Sequence, residues 1–120
     1  MESAEIEGIP VVRAHGEIDL YTAHEFERAL ESGLEKGAPA LIADLSDASY
    51  LDSSGLTALL HAHKLISARG GVLYVIASPG SPGVRRVLQI TRLDTIFRVR
   101  DTLGDALAEV RSAGPVISDQ

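Results

Sequence analysis

The sequence predicts an α/β fold, a single domain on a mixed β-sheet with an N-terminal hairpin and about four α-helices. Three observations carry this. Alternating polar and apolar residues open the chain, as in half-exposed strands. Later runs such as Ala40-Leu41-Ile42-Ala43 and Val72-Leu73-Tyr74-Val75-Ile76-Ala77 are apolar on both faces, as central strands covered on two sides must be. Between these runs, apolar residues recur at helical spacing, so helices alternate with strands.

Each element has its own signal. Ala4 and Ile6 alternate with Glu5 and Glu7, and Gly8-Ile9-Pro10 reads as a turn. Val12, Ala14, Gly16 and Ile18 alternate with Arg13, His15 and Glu17, giving the hairpin's second strand. Thr22-Ala23-His24-Glu25 is a capping-box pattern, followed by Phe26, Leu30 and Leu34 at helical spacing. Gly37 and Pro39 end that helix. A second helix is expected over 54–68, with Ala58, Leu59, Ala62, Leu65 and Ile66 as its core stripe, stopped by Gly70-Gly71. Pro82 suits the first turn of a third helix carrying Val84, Val87, Leu88 and Ile90. Ile96-Phe97-Arg98-Val99 reads as a short strand, and Leu103, Leu107 and Val110 mark a last helix. The domain is expected over 1–112, with 113–120 as a flexible tail.

Composition narrows the function. A chain of 120 residues buries one hydrophobic core. The net charge of −6 disfavours nucleic acid and anionic membrane surfaces as partners. The absence of cysteine excludes disulfides, thiolate catalysis and zinc–thiolate sites. No apolar run approaches the roughly 20 residues of a membrane span. The start Met1-Glu2-Ser3-Ala4-Glu5 lacks the basic and apolar regions of a signal peptide, so a cytoplasmic location is expected.

Catalytic and cofactor motifs fail on spacing. A nucleophile elbow needs glycine two residues before the serine, where Leu51 precedes Ser53 and Asp52 precedes Ser54. Phosphate-binding glycine patterns are absent. His61 and His63, two apart, do not share a helix face, so no metal site is expected. No cofactor and no enzymatic activity are expected. Arg85-Arg86 reads as a solvated helix face, or as a lure for a partner's carboxylate or phosphate.

Asp52-Ser53-Ser54-Gly55 is the segment with the most to say. It joins an apolar run to a helix, where free backbone N–H groups and the positive end of the helix dipole meet. One reading is structural: Ser53 or Ser54 caps the helix, and Gly55 allows close packing on the sheet. The other is that a phosphate is held there, solvated by N–H groups near Gly55 and Leu56.

The run Asp44-Leu45-Ser46-Asp47-Ala48-Ser49-Tyr50-Leu51-Asp52-Ser53-Ser54-Gly55-Leu56 resembles the signature of STAS-domain anti-sigma factor antagonists, the anti-anti-sigma factors. Gly16-Glu17-Ile18-Asp19-Leu20-Tyr21-Thr22-Ala23 is similar to that family's Gly-Glu-Leu-Asp-x-x-Thr-Ala approach to its first helix. Ser81-Pro82-Gly83-Val84-Arg85-Arg86-Val87-Leu88 and Leu93-Asp94-Thr95-Ile96-Phe97 resemble its third helix and last strand. The likeness runs from about Ile6 to Val110.

The resemblance implies a STAS-like domain that works by binding. In the family, an anti-sigma factor that is itself a serine kinase phosphorylates the serine directly after the aspartate. That serine is Ser53 here, with Ser54 as the neighbouring alternative. The unphosphorylated protein binds the anti-sigma factor and frees the sigma factor, and a serine phosphatase resets the cycle. The same resemblance puts Asp19 near Asp52 and in the functional surface, although Asp19 also suits a cap on the first helix. Leu56 and Leu60 are either the core margin or apolar anchors for a partner. Thr57, His61 and Lys64 form the polar side of the expected docking face, with Asp19, Tyr21 and His24 at its edge and Asp52, Ser54 and Gly55 around the acceptor. The alternative within the same fold is a STAS scaffold or ligand-binding module, in a stress-signalling assembly or beside a lipid or anion transporter.

Overall fold

The computed structural model describes residues 1–113. Of the tail expected over 113–120, all but the backbone of Ala113 lies outside the described residues. The chain runs β1 (Glu2–Ile6), β2 (Ile9–Ile18), α1 (Ala23–Leu34), β3 (Ala40–Leu51), α2 (Ser53–Ser67), β4 (Val72–Ile76), α3 (Pro82–Ile90), a 3-10 turn (Leu93–Thr95), β5 (Arg98–Arg100) and α4 (Leu103–Ala113). The five strands form one sheet in the order β1-β2-β3-β4-β5. β1 and β2 are antiparallel and the remaining neighbours are parallel. The expected mixed sheet, hairpin and four helices are all present.

Alternation along the central strands sorts the core into two layers. Val12, Ala14, Leu41, Ala43, Leu45, Leu73 and Val75 point to one face, where Phe26, Leu30, Leu59, Ile66, Val84 and Leu88 of α1, α2 and α3 cover them. Val11, Ile42, Tyr74 and Ile76 point to the other, against Ala106 and Leu107 of α4. Successive residues of a strand face opposite sides, so a strand buried on both must be apolar throughout. β1 is exposed along most of its length, and Glu2 and Glu5 blunt its free edge.

Four local expectations change. The hairpin turns at Glu7-Gly8, with φ of 54° and 81°, so Ile9 and Pro10 belong to β2. Two positive φ values in a two-residue loop match the twist of the flanking strands. Leu65 is 46% exposed and Ile90 is 68% exposed, so neither joins the core. Leu65 lies about 100° around the helix from Ile66, off the buried stripe. Ile96 belongs to the turn before β5 and is also exposed, and the strand begins at Arg98.

The fourth change matters most for function. The apolar run ends at Leu45, but β3 continues to Leu51. β4 pairs only with Ala40 to Asp44, so the second halves of β2 and β3 extend beyond it as a two-stranded ribbon. Register shifts between Arg13 and His15 and between Gly16 and Glu17 bend that ribbon, with Gly16 at φ 75°. The ribbon is rooted at buried Asp44. Its carboxylate accepts hydrogen bonds from Arg13 Nε at 3.2 Å, Ser46 N at 3.0 Å and Ser46 Oγ at 2.6 Å. A buried carboxylate needs this set of donors to offset its lost hydration.

Candidate functional site

The ribbon delivers two aspartates to one place. Ile18 pairs with Leu51 at the ends of β2 and β3, and Asp52 N donates to Ile18 O at 3.0 Å. Asp19 and Asp52 therefore leave neighbouring strand ends side by side. Each begins the approach to a helix, Asp19 to α1 and Asp52 to α2. In parallel sheets, carboxyl ends of strands are where sites collect, because helix N-termini and loops converge there.

Asp52 is the N-cap of α2, in extended backbone with φ −96° and ψ −172°. Its Oδ1 accepts from Ser54 N at 2.8 Å and Gly55 N at 3.3 Å. This corrects the expectation that Ser53 or Ser54 supplies the cap. The cap also consumes the donors that a phosphate was expected to find, because Leu56 N bonds to Asp52 O at 3.0 Å. No ready-made anion cradle is left on the N–H groups of Ser54, Gly55 and Leu56.

Ser53 is the first residue of α2 and is exposed. Among the described residues its hydroxyl has no hydrogen-bond partner, and its carbonyl accepts from Thr57 Oγ1 at 2.8 Å. Gly55 is buried, and a Cβ there would collide with Leu51 Cδ1 and meet Ile18 Cγ2 at 2.9 Å. The close packing expected of Gly55 is present, and it holds the first turn of α2 down on the ribbon.

Asp19 organises the other strand exit. Its Oδ1 accepts from Tyr21 N at 3.0 Å and Thr22 N at 3.2 Å, and Thr22 Oγ1 accepts from Asp19 N at 2.9 Å. Thr22 makes no side-chain cap bond to α1, so the expected capping box does not form. Its hydroxyl is turned back toward Glu17 O, 3.0 Å away. The aspartate has outcompeted the threonine for the loop's donors, as short carboxylates do in Asx turns.

This arrangement leaves apolar groups in water. Tyr21 is 89% exposed, Leu20 71% and Tyr50 50%. Sequence reasoning singled out Tyr21 but not Leu20 or Tyr50. The available signal was an apolar residue inside a polar strand exit. Leu56 and Leu60 are only partly buried and pack on the core margin. Thr57 and His24 are exposed near the helix starts. His61 and Lys64 lie further along α2, about 12 and 16 Å from Ser53 along the helix axis. His61 Nδ1 sits 3.0 Å from Glu27 Oε2 of α1 instead of pointing toward the strand exits. The compact site is thus Asp19, Tyr21, Asp52, Ser53, Ser54 and Gly55, with Leu20 and Tyr50 added.

The local field is negative. Glu17, Asp19 and Asp52 lie at the end of the ribbon, Asp47 stands further back opposite His15, and Arg13, at the ribbon's root, is engaged by Asp44. Ser53 offers an exposed alcohol directly after the Asp52 cap, at a strand end that neighbours the one Asp19 leaves. No helix among the described residues is long and apolar enough to cross a membrane.

Comparison with known proteins shows the family and the fold. The STAS domain family matches residues 1–106. The chain is 36% identical over 108 residues to the anti-sigma-F factor antagonist RsfB of Mycobacterium tuberculosis, covering 90% of this chain and 86% of that one. The crystal structure of an anti-sigma factor antagonist from Mycobacterium paratuberculosis superposes with a TM-score of 0.83 at 35% identity, over 92% of each chain. Unphosphorylated SpoIIAA, also an anti-sigma factor antagonist, shares the fold at a TM-score of 0.70 and 22% identity, over 92% of this chain and 96% of that one. The chain belongs to the STAS domain family, as one of its anti-sigma factor antagonists.

Proposed function

We propose that this antagonist is a binding protein switched by a phosphate on Ser53. The unphosphorylated chain docks on an anti-sigma factor of the serine-kinase type and releases the sigma factor. That kinase phosphorylates Ser53, with Ser54 as the neighbouring alternative, and a serine phosphatase restores the binding form. The chain is a substrate in this cycle and not an enzyme, and the cycle runs in the cytoplasm.

One observation carries the reading: an exposed Ser53 hydroxyl with no hydrogen-bond partner among the described residues, directly after the Asp52 cap, in a chain whose relatives are antagonists. A phosphate there adds about −1.5 to −2 charges at pH 7. With Asp52 holding the N–H groups of Ser54 and Gly55, that charge is neutralised little from within the domain. It projects toward whatever docks. Leu20, Tyr21 and Tyr50 supply apolar contact area of the kind that anchors protein interfaces. Shifting the bound fraction from 99:1 to 1:99 takes about 5.5 kcal/mol of differential binding. Loss of anchor burial together with repulsion at a desolvated contact is a reasonable source for it.

Incubation with ATP and candidate anti-sigma kinases, followed by intact mass, tests the proposal. The expected result is one added phosphate, lost in Ser53→Ala, and pull-down of the kinase by the unmodified form only. Continued phosphate uptake in Ser53→Ala, or equal binding with and without the phosphate, contradicts it.

A further inference from the structure

Glu27 and Glu31 stand one turn apart on α1, and His61 meets them from α2. One ligand atom from each of the three lies within 4.8 Å of the other two. His61 Nδ1 is already 3.0 Å from Glu27 Oε2. The two helices are fixed against one core through Phe26, Leu30, Leu59 and Ala62, so the three groups are held on a firm base. Among the described residues, no lysine or arginine pairs with either glutamate. Two like charges at this spacing on one helix face are unfavourable unless a cation joins them.

We propose that Glu27, Glu31 and His61 form a binding site for one divalent transition-metal ion of the zinc class, bridging α1 and α2. An imidazole with two carboxylates suits zinc, nickel or copper, whereas magnesium and calcium prefer oxygen ligands alone. Metal–ligand distances of about 2.0–2.2 Å set tetrahedral ligand atoms roughly 3.3 Å apart. The His61–Glu27 contact is near that value, and Glu31 has a carboxylate oxygen within 4.8 Å of both. Water completes the coordination at this half-exposed surface. The spacing of histidines along the sequence gives no hint of the site, because its donors come from two helices. The site stands apart from the Ser53 switch, and neither proposal depends on the other.

The test uses the full chain, free of any affinity tag and stripped of metal with a chelator. Zinc is titrated by calorimetry and by thermal melting. The expected result is one zinc per chain, with a rise in Tm that EDTA reverses and magnesium does not reproduce. Binding weakens at least about tenfold in His61→Ala and in Glu31→Gln, while His15→Ala binds zinc as the parent does. Circular dichroism shows that the variants fold, and His61→Gln replaces His61→Ala if the latter does not. Absence of zinc uptake in the parent chain overturns the proposal, as does equal zinc affinity in the parent and the folded His61 variant.

Discussion

Replacing Asp52 tests which side chain holds the start of α2. In Asp52→Ala the backbone contacts persist: Asp52 N still reaches Ile18 O, and Leu56 N still reaches the residue 52 carbonyl. What disappears is Oδ1, the acceptor for Ser54 N at 2.8 Å and Gly55 N at 3.3 Å. Losing an N-cap costs about 0.5–2 kcal/mol. Gly55 is buried beneath Leu51 and Ile18, so water replaces the lost acceptor poorly at its N–H. That places the cost in the upper half of the range, at about 1–2 kcal/mol. For a domain of this size, such a loss lowers Tm by about 4–8 °C. Asp52→Asn keeps the acceptor and loses only the charge at the helix N-terminus, worth about 0.3–1 kcal/mol. Ser53→Ala removes a hydroxyl without a partner and stays within about 0.5 kcal/mol of the parent. Urea and thermal denaturation followed by circular dichroism measure all three. If Ser53→Ala is as damaging as Asp52→Ala, or Asp52→Ala is silent, the cap assignment is wrong.

Three further outcomes follow from named groups. Ser53→Glu is expected to fold normally, since a carboxylate is favoured in the first turn of a helix, and to weaken partner binding more at low salt than at high; identical losses at both ionic strengths would speak against an electrostatic switch. Tyr21→Ala, at a side chain 89% exposed, should leave stability within about 0.5 kcal/mol. It should reduce affinity for the anti-sigma factor by at least about 1 kcal/mol, measured by calorimetry. Arg100 forks onto Glu109 between β5 and α4, with Nη2 to Oε1 at 2.8 Å, and this hydrogen bond above all holds the carboxyl below its ordinary 4.5. Stability from Glu109 is complete above pH 4.5 and is lost as pH falls through the lowered folded value, so Glu109→Gln should flatten the acid limb of a stability–pH curve there.

The order of elements was legible because each central strand must be apolar on two faces and each helix on one stripe. Ala40 to Ala43 and Val72 to Ala77 satisfy the first rule outright, and Phe26, Leu30 and Leu34 satisfy the second. The ribbon was not legible. Ser46, Asp47, Ser49 and Tyr50 look like loop, yet only Ala48 and Leu51 need to face inward once β3 leaves β4 and pairs with β2 alone. Leu65 and Ile90 misled in the opposite sense, as apolar side chains that a small curved surface leaves in water.

At the site, the residue types marked the segment Asp52 to Gly55 as a strand-to-helix junction, with Ser53 or Ser54 as its expected cap and Gly55 as room for close packing, and only the family resemblance singled out Ser53. Which group did which task was settled only by the fold. Asp52 reaches the N–H groups of Ser54 and Gly55 because Gly55 seats on Ile18 and Leu51, and that same seating leaves Ser53 facing out. Asp19, 33 residues before Asp52, arrives at the neighbouring strand end through the pairing of Ile18 with Leu51. Glu27, Glu31 and His61 meet only because two helices cover one sheet face. Periodicity is a local property that a sequence carries on its surface, whereas the meeting of distant side chains depends on register and packing, which exist only once the chain has closed on itself.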